Sequence, residues 1–556
     1  MKINLIIYTV IICTVQAVAQ DPIKKITLSN GVEISNEWPP VRNKETERKE
    51  MPVPYLENRQ ELIPINVGRQ LFVDDFLIKS TNLVSVYHTP EYSSKNPVLK
   101  PDREWESNSG GPYAAPFSDG IWFDEKSQKF KMWYLAGAPG KGLRSYYTCY
   151  AESDNGINWL KPNLGIYGQT NIVDTINRDA STIWLDKTET DPLKRFKMFC
   201  VVPPNWQYVL KYSADGIYWS KMAAKSGKVY DRSTAFYNPF KNKWALSVKI
   251  STPVSSRSRS YAENEDPELL VASSANRFDI KQPDGMEKSV IFWFTPDDKE
   301  PRNPKFPEIE PAIYNFDAIA YESLMLGFYS VWQGPDNNTC RSLGIQKRNE
   351  VLIGYSRDGF HFSRPSHKPF MGVNETEGAW NWGNVQSIVG APIIMGDSLY
   401  LYVSGRRINS ISWDSHMSTG LSTLRRDGFM SLESNDNQGY LLTQKTIFNG
   451  KFLFVNADIP AEGELRVEIL DENNRVIKGY GKADCIPMKE NSTKYMIRWK
   501  RHDNISELID KPVHFRFLIN KGAIYSFWVS SWITGESRGY TAGGGPGLSQ
   551  SGIDKK

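Results

Sequence analysis

Three aspartates in this sequence stand in similar settings that could support acid–base chemistry. Asp179 in RDASTIWLD and Asp231 in DRSTAFYN both begin the pattern Asp-x-Ser-Thr-x-aromatic, and each has an arginine beside it, Arg178 and Arg232. Asp317 in YNFDAIAYES has the matching place in a later segment. Carboxylates held close together shift one another's pKa, which hydrolytic enzymes use to obtain an acid and a base.

A repeated turn indicates which elements position these aspartates. Each copy is a short alternating strand, a Ser, an Asp/Asn-Gly turn and then an aromatic residue, a pattern typical of β-hairpins. The clear copies are YAESDNGINWLKP, KYSADGIYWSK and GYSRDGFHFSRP; LSTLRRDGFMSLE is weaker, and ASSANRFD is decayed. Their turns lie at 156, 216, 277, 359 and 428. This spacing of roughly 60 to 80 residues is typical of propeller blades with insertions.

Each repeat also contains two earlier extended segments, so the sequence predicts five four-stranded antiparallel units. We therefore predict an all-β chain, a five-bladed β-propeller followed by a C-terminal β-sandwich. A multi-sheet β-sandwich is the alternative. The first strand of each propeller blade lines the central channel, which would bring Asp179, Asp231 and Asp317 to one end of it. Neighbouring carboxyl groups should then lie roughly 6–10 Å apart, unless each aspartate only caps its strand or turn.

Further candidates come from residue type and place in the repeat. Trp382 and Asn384, in GAWNWGNVQS at the start of the fifth unit, could stack on a sugar and bind its hydroxyls, or could pack between blades. Glu322 lies five residues after Asp317 and is either a site residue or a carboxylate between blades. Arg257 and Arg259 are interpreted as part of an insertion loop, a lid or a solvated excursion. Arg406 and Arg407 are read as structural.

The domain boundaries follow changes in composition. Residues 1–19 predict a cleaved signal peptide, because Lys2 precedes an apolar stretch that ends in Ala17-Val18-Ala19. Residues 20–65 read as an extended N-terminal arm, 66–437 as the propeller, 438–537 as the β-sandwich and 538–556 as a flexible Gly-rich tail. GRQLFVDDFLI at 68–78 is predicted to complete the last blade. The protein would be secreted or periplasmic after cleavage near Ala19, without a membrane span.

Composition and motifs exclude several other functions. The 556 residues carry 67 Lys and Arg against 63 Asp and Glu, a net charge of +4, so nucleic acid is a poor partner. No metal-binding or phosphate-loop motif is present, and the cysteines left after cleavage are far apart, so no cofactor or metal is required. Calcium binding in the channel is kept as an alternative.

The chain resembles the five-bladed glycoside hydrolases of families 32, 43, 68 and 130. It is most similar to the bacterial group labelled family-32-like, through QLFVDDFLI, AYESLMLG, SRDGFHFSRP and WNWGNVQS, over roughly residues 66 to 535. The resemblance implies that Asp179 matches the blade-two transition-state stabiliser and that Asp231 stands where the blade-three acid is usually Glu. Blade one departs from the pattern, since Ala115 holds the nucleophile position. Asp119, or the pair Asp74 and Asp75, would be the substitute.

The predicted function is an exported glycoside hydrolase that uses Asp179, Asp231 and Asp317 on an oligosaccharide or polysaccharide. Arg178 and Arg232 beside the carboxylates extend the expected substrates to acidic glycans. The alternatives are a non-catalytic glycan-binding propeller, which the missing blade-one aspartate favours, and a phosphorylase like those of family 130, which would need a phosphate pocket. Whether the reaction inverts or retains depends on the separation of the carboxylates.

Overall fold

The structure is a computed structural model, and it describes residues 25–40, 48–108, 111–139, 145–274, 291–388, 391–408, 415–435 and 438–556. The predicted signal peptide and the decayed turn at 277 lie outside these residues. Strands make up most of the regular secondary structure of the described chain, and the helices are short. The α-helices span Pro54–Glu57, Pro267–Ser273 and Asn337–Leu343, and the 3-10 helices span Asp75–Leu77, Glu104–Glu106, Pro192–Lys194 and Ser506–Leu508.

Five antiparallel sheets follow one another along the chain, and we number them sheets 1 to 5. Sheet 1 contains Ala114–Ala115, Ile121–Asp124, Lys129–Gly137, Tyr146–Ser153 and Ile172–Asp174. Sheet 2 contains Ser181–Leu185, Phe196–Val202, Gln207–Ser213 and Ala224–Lys228. Sheet 3 contains Thr234–Asn238, Lys243–Thr252, Ser255–Asn264 and Ile291–Phe294.

The last two of these sheets each recruit a strand from a distant part of the chain. Sheet 4 contains Ala312–Glu322, Leu324–Gly334, Arg348–Ser356 and Tyr540–Thr541. Sheet 5 contains Val385–Ile388, Ile393–Met395, Ser398–Ile408, Ser415–Arg425 and Glu91–Tyr92. The strand at 91–92 therefore closes the fifth sheet with residues that precede the first.

Two six-stranded sheets form a second unit. Sheet 6 contains Ile63–Pro64, Ile78–Thr81, Gly439–Thr443, Thr446–Ile447, Glu464–Asp471 and Val513–Asn520. Sheet 7 contains Gln70–Leu71, Val84–Tyr87, Met430–Ser434, Phe452–Asp458, Asn491–Met496 and Gly522–Ser530. Two short hairpins complete the strands, Lys25–Thr27 with Glu33–Ser35 and Ser107–Asn108 with Gly111–Pro112. Sheets 6 and 7 meet through phenylalanines, since the Phe517 and Phe527 rings are 5.2 Å apart.

These pairings correct two predicted boundaries. The segment 68–78 does not complete sheet 5, because Gln70–Leu71 pairs with Gly522–Ser530 in sheet 7. Strands between 63 and 87, and Met430–Ser434, likewise belong to sheets 6 and 7 and not to a 66–437 propeller. Alternating hydrophobic residues predict a strand in each case, but they carry no information about which distant strand is its partner.

The predicted turns dock each sheet on its neighbour. In the turn at 213–216, the Ser213 hydroxyl accepts from the Gly216 amide at 2.9 Å, and the Asp215 carboxylate accepts from the two amides that follow the glycine. The same bonds recur at 153–156 and 356–359. Gly216 has φ +80, a conformation that favours glycine. Its carbonyl accepts from the indole of Trp133 in sheet 1 at 2.6 Å, so the turn fixes sheet 2 against sheet 1.

The predicted flexible tail is ordered between the sheets, and that prediction is wrong. Tyr540–Thr541 pairs with Ala312–Glu322, and Gly544 accepts a backbone hydrogen bond from Ile394 of sheet 5 at 2.8 Å. The glycines permit this approach, because a Cβ on Gly545 would lie 2.0 Å from the Ile394 carbonyl oxygen. Low hydrophobicity was misread as disorder, since here the segment is held by backbone bonds.

The described part of the N-terminal arm contacts sheets 3 and 4. Asn30 donates to the carbonyls of Ser323 and Arg357 at 3.0 and 2.8 Å, and Trp38 donates to Glu263 at 3.1 Å. None of the helices in the described ranges has the length and apolar composition needed to cross a bilayer.

Candidate functional site

Hydrogen bonds between the first strands of the five sheets define an inner layer. Its members are Ser118, Thr182, Thr234, Asp317 and Ser387, one from each sheet. The Ala235 amide donates to the Thr182 hydroxyl at 3.1 Å, and the Thr234 hydroxyl donates to the Phe316 carbonyl at 2.5 Å. The Ser118 hydroxyl lies 3.0 Å from the Asp317 carboxylate and 3.4 Å from the Ser387 hydroxyl. These contacts link the first strands of sheets 2 to 5 with one another and with Ser118, which lies in the turn before Ile121–Asp124 of sheet 1, and we call sheets 1 to 5 together the ring.

A second set of residues, three positions earlier in the sequence, lies within or just before the first strands, and we call it the mouth layer. It consists of Ala115, Asp179, Asp231, Tyr314 and Asn384. The Arg232 amide, next to Asp231 in the chain, bonds to the Asp179 carboxylate and so brings these two residues near each other. Asp317 is buried and bonded to Ser118 and Asn315, so it does not take the place beside them that the sequence predicts. Tyr314 takes that place, because its ring lies 4.5 Å from the Arg257 guanidinium that pairs with Asp231.

Asp179 and Asp231 share Arg232. The Arg232 amide donates to the Asp179 carboxylate at 3.1 Å, and the Arg232 Nε lies 3.6 Å from the same oxygen. Arg232 has φ +56, a conformation unusual for a residue with a side chain, which turns its amide toward Asp179. The Arg232 guanidinium stacks 4.2 Å from the centre of the Phe117 ring. The Asp179 and Asp231 side chains are 19% and 23% exposed, so solvent and ligands can reach both.

Two further cations hold Asp231. Lys249 donates to one carboxylate oxygen, and Arg257 donates to the other at 2.9 Å. Burial alone would raise the pKa of Asp231, but the charges and hydrogen bonds of Arg257 and Lys249 hold it well below its usual range. These contacts favour the ionised form of Asp231.

Tyr314 stands among three cations. The Arg257 and Arg232 guanidiniums lie 4.5 and 5.8 Å from its ring centre, and the Lys347 ammonium lies 3.3 Å from its hydroxyl. Burial alone would raise the pKa of Tyr314, but Lys347, Arg232 and Arg257 outweigh it and lower the pKa to about 7. For Lys347, burial lowers the pKa of the ammonium group, and the neighbouring Arg406 and Arg257 lower it further.

We name these residues the mouth cluster: Asp179, Asp231, Arg232, Lys249, Arg257, Tyr314, Lys347 and Arg406. Sequence analysis missed Tyr314, Lys249 and Lys347, and it misassigned Arg257 and Arg406. Arg257 lies in the strand Ser255–Asn264 and not in a loop. The alternation in SSRSRSY was the available signal, because residues two apart on a strand point to the same face.

Asp317 lies beneath the mouth in a polar pocket. Asn315 donates to its carboxylate at 2.6 Å, from the same side as the Ser118 hydroxyl. Burial raises the pKa of Asp317 to about 7, against the opposing effect of Ser118, Arg259 and Asn315. Asp317 is only 7% exposed, so its contacts indicate support of the first strands and not contact with a substrate.

Several predicted binding residues have other contacts. Arg178 is enclosed, donating to both carboxylate oxygens of Asp119 at 3.0 and 2.5 Å and to the Asp179 carbonyl at 3.1 Å. Arg178 and Asp119 neutralise each other in a buried ion pair, so neither side chain is available to a ligand at the mouth. The Arg178 bond does fix the backbone of Asp179. Asn384 is also fully buried; its amide donates to the Lys347 carbonyl at 2.5 Å, and its carbonyl accepts from the Arg406 amide at 3.0 Å. It therefore positions two cations.

Glu322 and Asp75 lie away from the mouth, and their prediction as site residues is wrong. Glu322 is buried at the contact of the ring with sheets 6 and 7, 3.5 Å from the Arg69 Nε and 3.2 Å from Arg426. Asp75 is an exposed residue in the first turn of the 3-10 helix Asp75–Leu77, which follows sheet 7's strand Gln70–Leu71. Trp382 is partly buried, with its amide bonded to the Ala379 carbonyl at 3.1 Å.

One group of the described residues has the composition of a metal site. Ligand atoms of Glu50, Asp297 and His367 lie within 4.8 Å of one another. Asp297 is already bonded to His367 at 2.9 Å and paired with Arg364 at 2.9 Å, so its charge is neutralised without an ion. This group shares no residue with the mouth cluster, whose two carboxylates are bonded to arginine and lysine.

No family model and no curated protein matches the chain. Solved structures do. A β-fructofuranosidase from Schwanniomyces occidentalis in complex with fructosyl-erythritol is 9% identical, over 79% of this chain and 96% of the other, with a TM-score of 0.36. A glycosyl hydrolase from Bacteroides ovatus is 15% identical over 64% and 96%, with a TM-score of 0.36. An exo-β-1,3-galactanase from Phanerochaete chrysosporium is 8% identical over 73% and 79%, with a TM-score of 0.25.

The three structures are similar to this chain at low sequence identity and low TM-score. At such identities and TM-scores they assign neither an activity nor a residue role to this chain. The architecture rests on the sheet pairings, and the site rests on the contacts of the mouth cluster.

Proposed function

We propose that this chain is an exported glycoside hydrolase that acts at the mouth of the ring. In this proposal sheets 1 to 5 are the blades of a five-bladed β-propeller, and sheets 6 and 7 are a β-sandwich packed against it. The observation that supports the proposal is the pair Asp179 and Asp231, which just precede the first strands of sheets 2 and 3, are linked through Arg232 and are partly exposed. Two carboxylates at one opening are what cleavage of a glycosidic bond requires.

The two carboxylates would have different roles. Asp231 stays ionised beside Lys249 and Arg257, so it can stabilise the positive charge that develops at the anomeric carbon. Arg232 is the partner of Asp179 in the described part of the chain. Because the Asp179 carboxylate is partly exposed, it would exchange a proton with the oxygen of the leaving group. Asp317, which is buried and bonded to Ser118 and Asn315, would not contact the sugar.

A panel of oligosaccharides tests this proposal. The mature chain should release a sugar from at least one member, and the Asp179→Asn variant, folded to the same extent, should release none. Folded wild-type protein that cleaves no member of a broad plant, algal and host glycan panel would contradict hydrolysis.

One alternative is a glycan-binding protein without catalysis, which Ala115 favours because sheet 1 supplies no carboxylate at the mouth level. It predicts that Asp179→Asn binds glycans as the wild type does, with no turnover by either. The other alternative is a phosphorylase, which the surplus of cations favours. It predicts turnover that requires inorganic phosphate and yields a sugar 1-phosphate.

A further inference from the structure

The mouth cluster carries more positive than negative charge. Its cations are Arg232, Lys249, Arg257, Lys347 and Arg406, and its carboxylates are Asp179 and Asp231. Asp231 takes up Lys249 and one side of Arg257, and Asp179 takes up Arg232. Lys347 and Arg406 have no carboxylate partner among the described residues. Even an ionised Tyr314 would neutralise only one of the excess charges.

Three guanidinium nitrogens in this cluster are buried without a hydrogen-bond acceptor in the described chain. They are Nη1 of Arg232, Nη1 of Arg257 and Nε of Arg406. A buried charged donor without an acceptor is costly, and the usual remedy is an oppositely charged partner. Arg406 lies close enough to Lys347 to lower its pKa, and its Nη2 donates to the Met417 sulfur at 3.3 Å. The cluster is therefore short of an anion.

The place of that deficit is specific. Arg257 and Lys347 both lie against Tyr314, at 4.5 and 4.7 Å from its ring centre, and Arg406 lies beyond Lys347. Asn384 holds this arrangement, because it bonds the Lys347 carbonyl and the Arg406 amide. The fully buried Arg259 holds the other side by donating to the carbonyls of Arg232 and Tyr314. A rigid set of like charges around one aromatic ring is a preformed site for an oxyanion.

From this geometry we infer that Arg257, Lys347 and Arg406 form a subsite for an anionic substituent of the glycan, a carboxylate or a sulfate ester, beside the carboxylate pair. The inference rests on the proposed function for its glycan ligand. The sequence predicts that Arg178 and Arg232 bind the acidic group of the sugar. Arg178 is instead paired with Asp119, so the inference assigns that group to Arg257, Lys347 and Arg406. Asp179 and Asp231 repel an acidic sugar that enters in the wrong orientation, so the subsite would also set the direction of binding.

Matched ligands test the subsite apart from catalysis. Binding is measured by calorimetry on the full mature chain carrying Asp179→Asn, so that no ligand is consumed. The ligands are uronic-acid oligosaccharides before and after reduction of their carboxyl groups to alcohols, and sulfated oligosaccharides before and after desulfation. We expect one acidic member of these pairs to bind at least about tenfold more tightly than its neutral counterpart, with a preference that falls as salt rises.

Lys347→Met removes a charge that pairs with no carboxylate, so it tests the subsite with the least disturbance to the fold. It should reduce the preference for the acidic ligand about 10- to 100-fold and leave binding of the neutral ligand unchanged. Arg406→Gln should act in the same direction. Lys225→Met is the control, because it makes the same charge change at an exposed position of sheet 2 and should keep the preference.

The outcomes separate this inference from the proposed function. Charge-selective binding without turnover by the wild type would support the subsite and contradict hydrolysis. Turnover of a neutral glycan, with no acidic preference or with a preference that Lys347→Met leaves intact, would overturn the subsite and support hydrolysis. Phosphate-dependent turnover with release of a sugar 1-phosphate would assign the cations to free phosphate and overturn the inference.

Discussion

Two clusters in this molecule are both built from arginines and carboxylates. They differ in the ratio of positive to negative charge and in how far solvent can reach them. The first is the mouth cluster. The second, which we call the junction network, consists of Arg69, Glu322, Arg426, Asp427 and Asp554. It joins sheet 4, the turn after sheet 5, the strand segment 63–87 and the C-terminal tail.

In the junction network carboxylates outnumber arginines, and Arg69 and Arg426 both pair with carboxylates, although the Nε atom of each lacks a hydrogen-bond partner among the described residues. Arg69 is 1% exposed, lies 3.0 Å from Asp427 and stacks 4.1 Å from the centre of the Trp528 ring. Tyr321 and Ser526 donate to Asp427 at 2.6 and 2.7 Å. In the mouth cluster the cations are in excess, and the carboxylates are open. Buried arginine–carboxylate pairs therefore do not mark a functional site by themselves; unneutralised charge that a ligand can reach does.

The comparison predicts the largest stability loss in the junction network. Glu322→Ala would leave Arg69 and Arg426 facing a cavity without their shared carboxylate, and breaking such a pair costs about 3–5 kcal/mol. We expect the free energy of unfolding in urea to fall by that amount while activity per folded molecule stays at the wild-type value. Glu322→Gln, which keeps the shape and the bond to Ser537, should lose less. A loss of turnover at unchanged stability would move Glu322 into the site.

The opposite result is expected at the mouth. Asp179→Asn should reduce turnover by about 10²- to 10⁴-fold, the usual contribution of an acid–base group, because an amide cannot exchange the proton. Its free energy of unfolding should change by less than about 0.5 kcal/mol, since the side chain is partly exposed and bonded only through Arg232. Asp154→Asn, an exposed residue paired with Lys129, serves as the control that should leave both quantities unchanged. A stability loss as large as that of Glu322→Ala would make Asp179 structural.

Local patterns in the sequence predicted much of the fold but not its closure. The Ser-x-Asp-Gly turns located three of the ring's hairpins, because their bonds form within four residues. In the fourth, at 425–428, the same signal has a different result: Asp427 turns into the junction network, and the chain continues into sheet 7. What decides this outcome is Arg69, more than 350 residues away in sequence. No local pattern carries that pairing.

The site was predicted to within one level of the ring. Asp179 and Asp231 share a motif and a level, so matching their sequences matched their structures. Asp317 was placed wrongly because its strand begins earlier, at Ala312, and has a bulge between Ile313 and Asn315 that breaks a count by residues. The cations of the mouth cluster come from second and third strands and from sheets 4 and 5. Their convergence depends on the ring closing, which is a property of the tertiary structure.

Because Asp317 is buried, it should make the free energy of unfolding depend on pH. Its pKa of about 7 exceeds the ordinary value of about 3.9, so the folded state binds its proton more tightly than the unfolded state. The stability from this group is full below about pH 4 and is lost as pH rises to about 7. Asp317→Asn cannot titrate, so its unfolding free energy should fall less than that of the wild type across this interval. Equal pH slopes for the two proteins would show that Asp317 has an ordinary pKa.

Tyr314 gives the sharpest test of unneutralised charge at the mouth. Three cations lower its pKa to about 7, against about 10 for an ordinary tyrosine, so the folded state releases this proton more readily than the unfolded state. Its contribution to stability therefore appears as pH rises through about 7 and is complete above about 10. Tyrosinate absorbance should accordingly titrate near neutral pH in the wild type and not in Tyr314→Phe.

Tyr237→Phe provides the matched control for this titration, because burial raises the pKa of Tyr237 to about 12 and its removal should leave the neutral step in place. An anion bound by Arg257, Lys347 and Arg406 would weaken their effect on Tyr314. Saturating acidic oligosaccharide should thus shift the step to higher pH, and binding near pH 7 should take up protons from the buffer. A neutral step that persists in Tyr314→Phe would place the low-pKa tyrosine elsewhere. A step that no acidic ligand moves would mean that the cations serve Tyr314 alone, as those of the junction network serve Glu322 and Asp427.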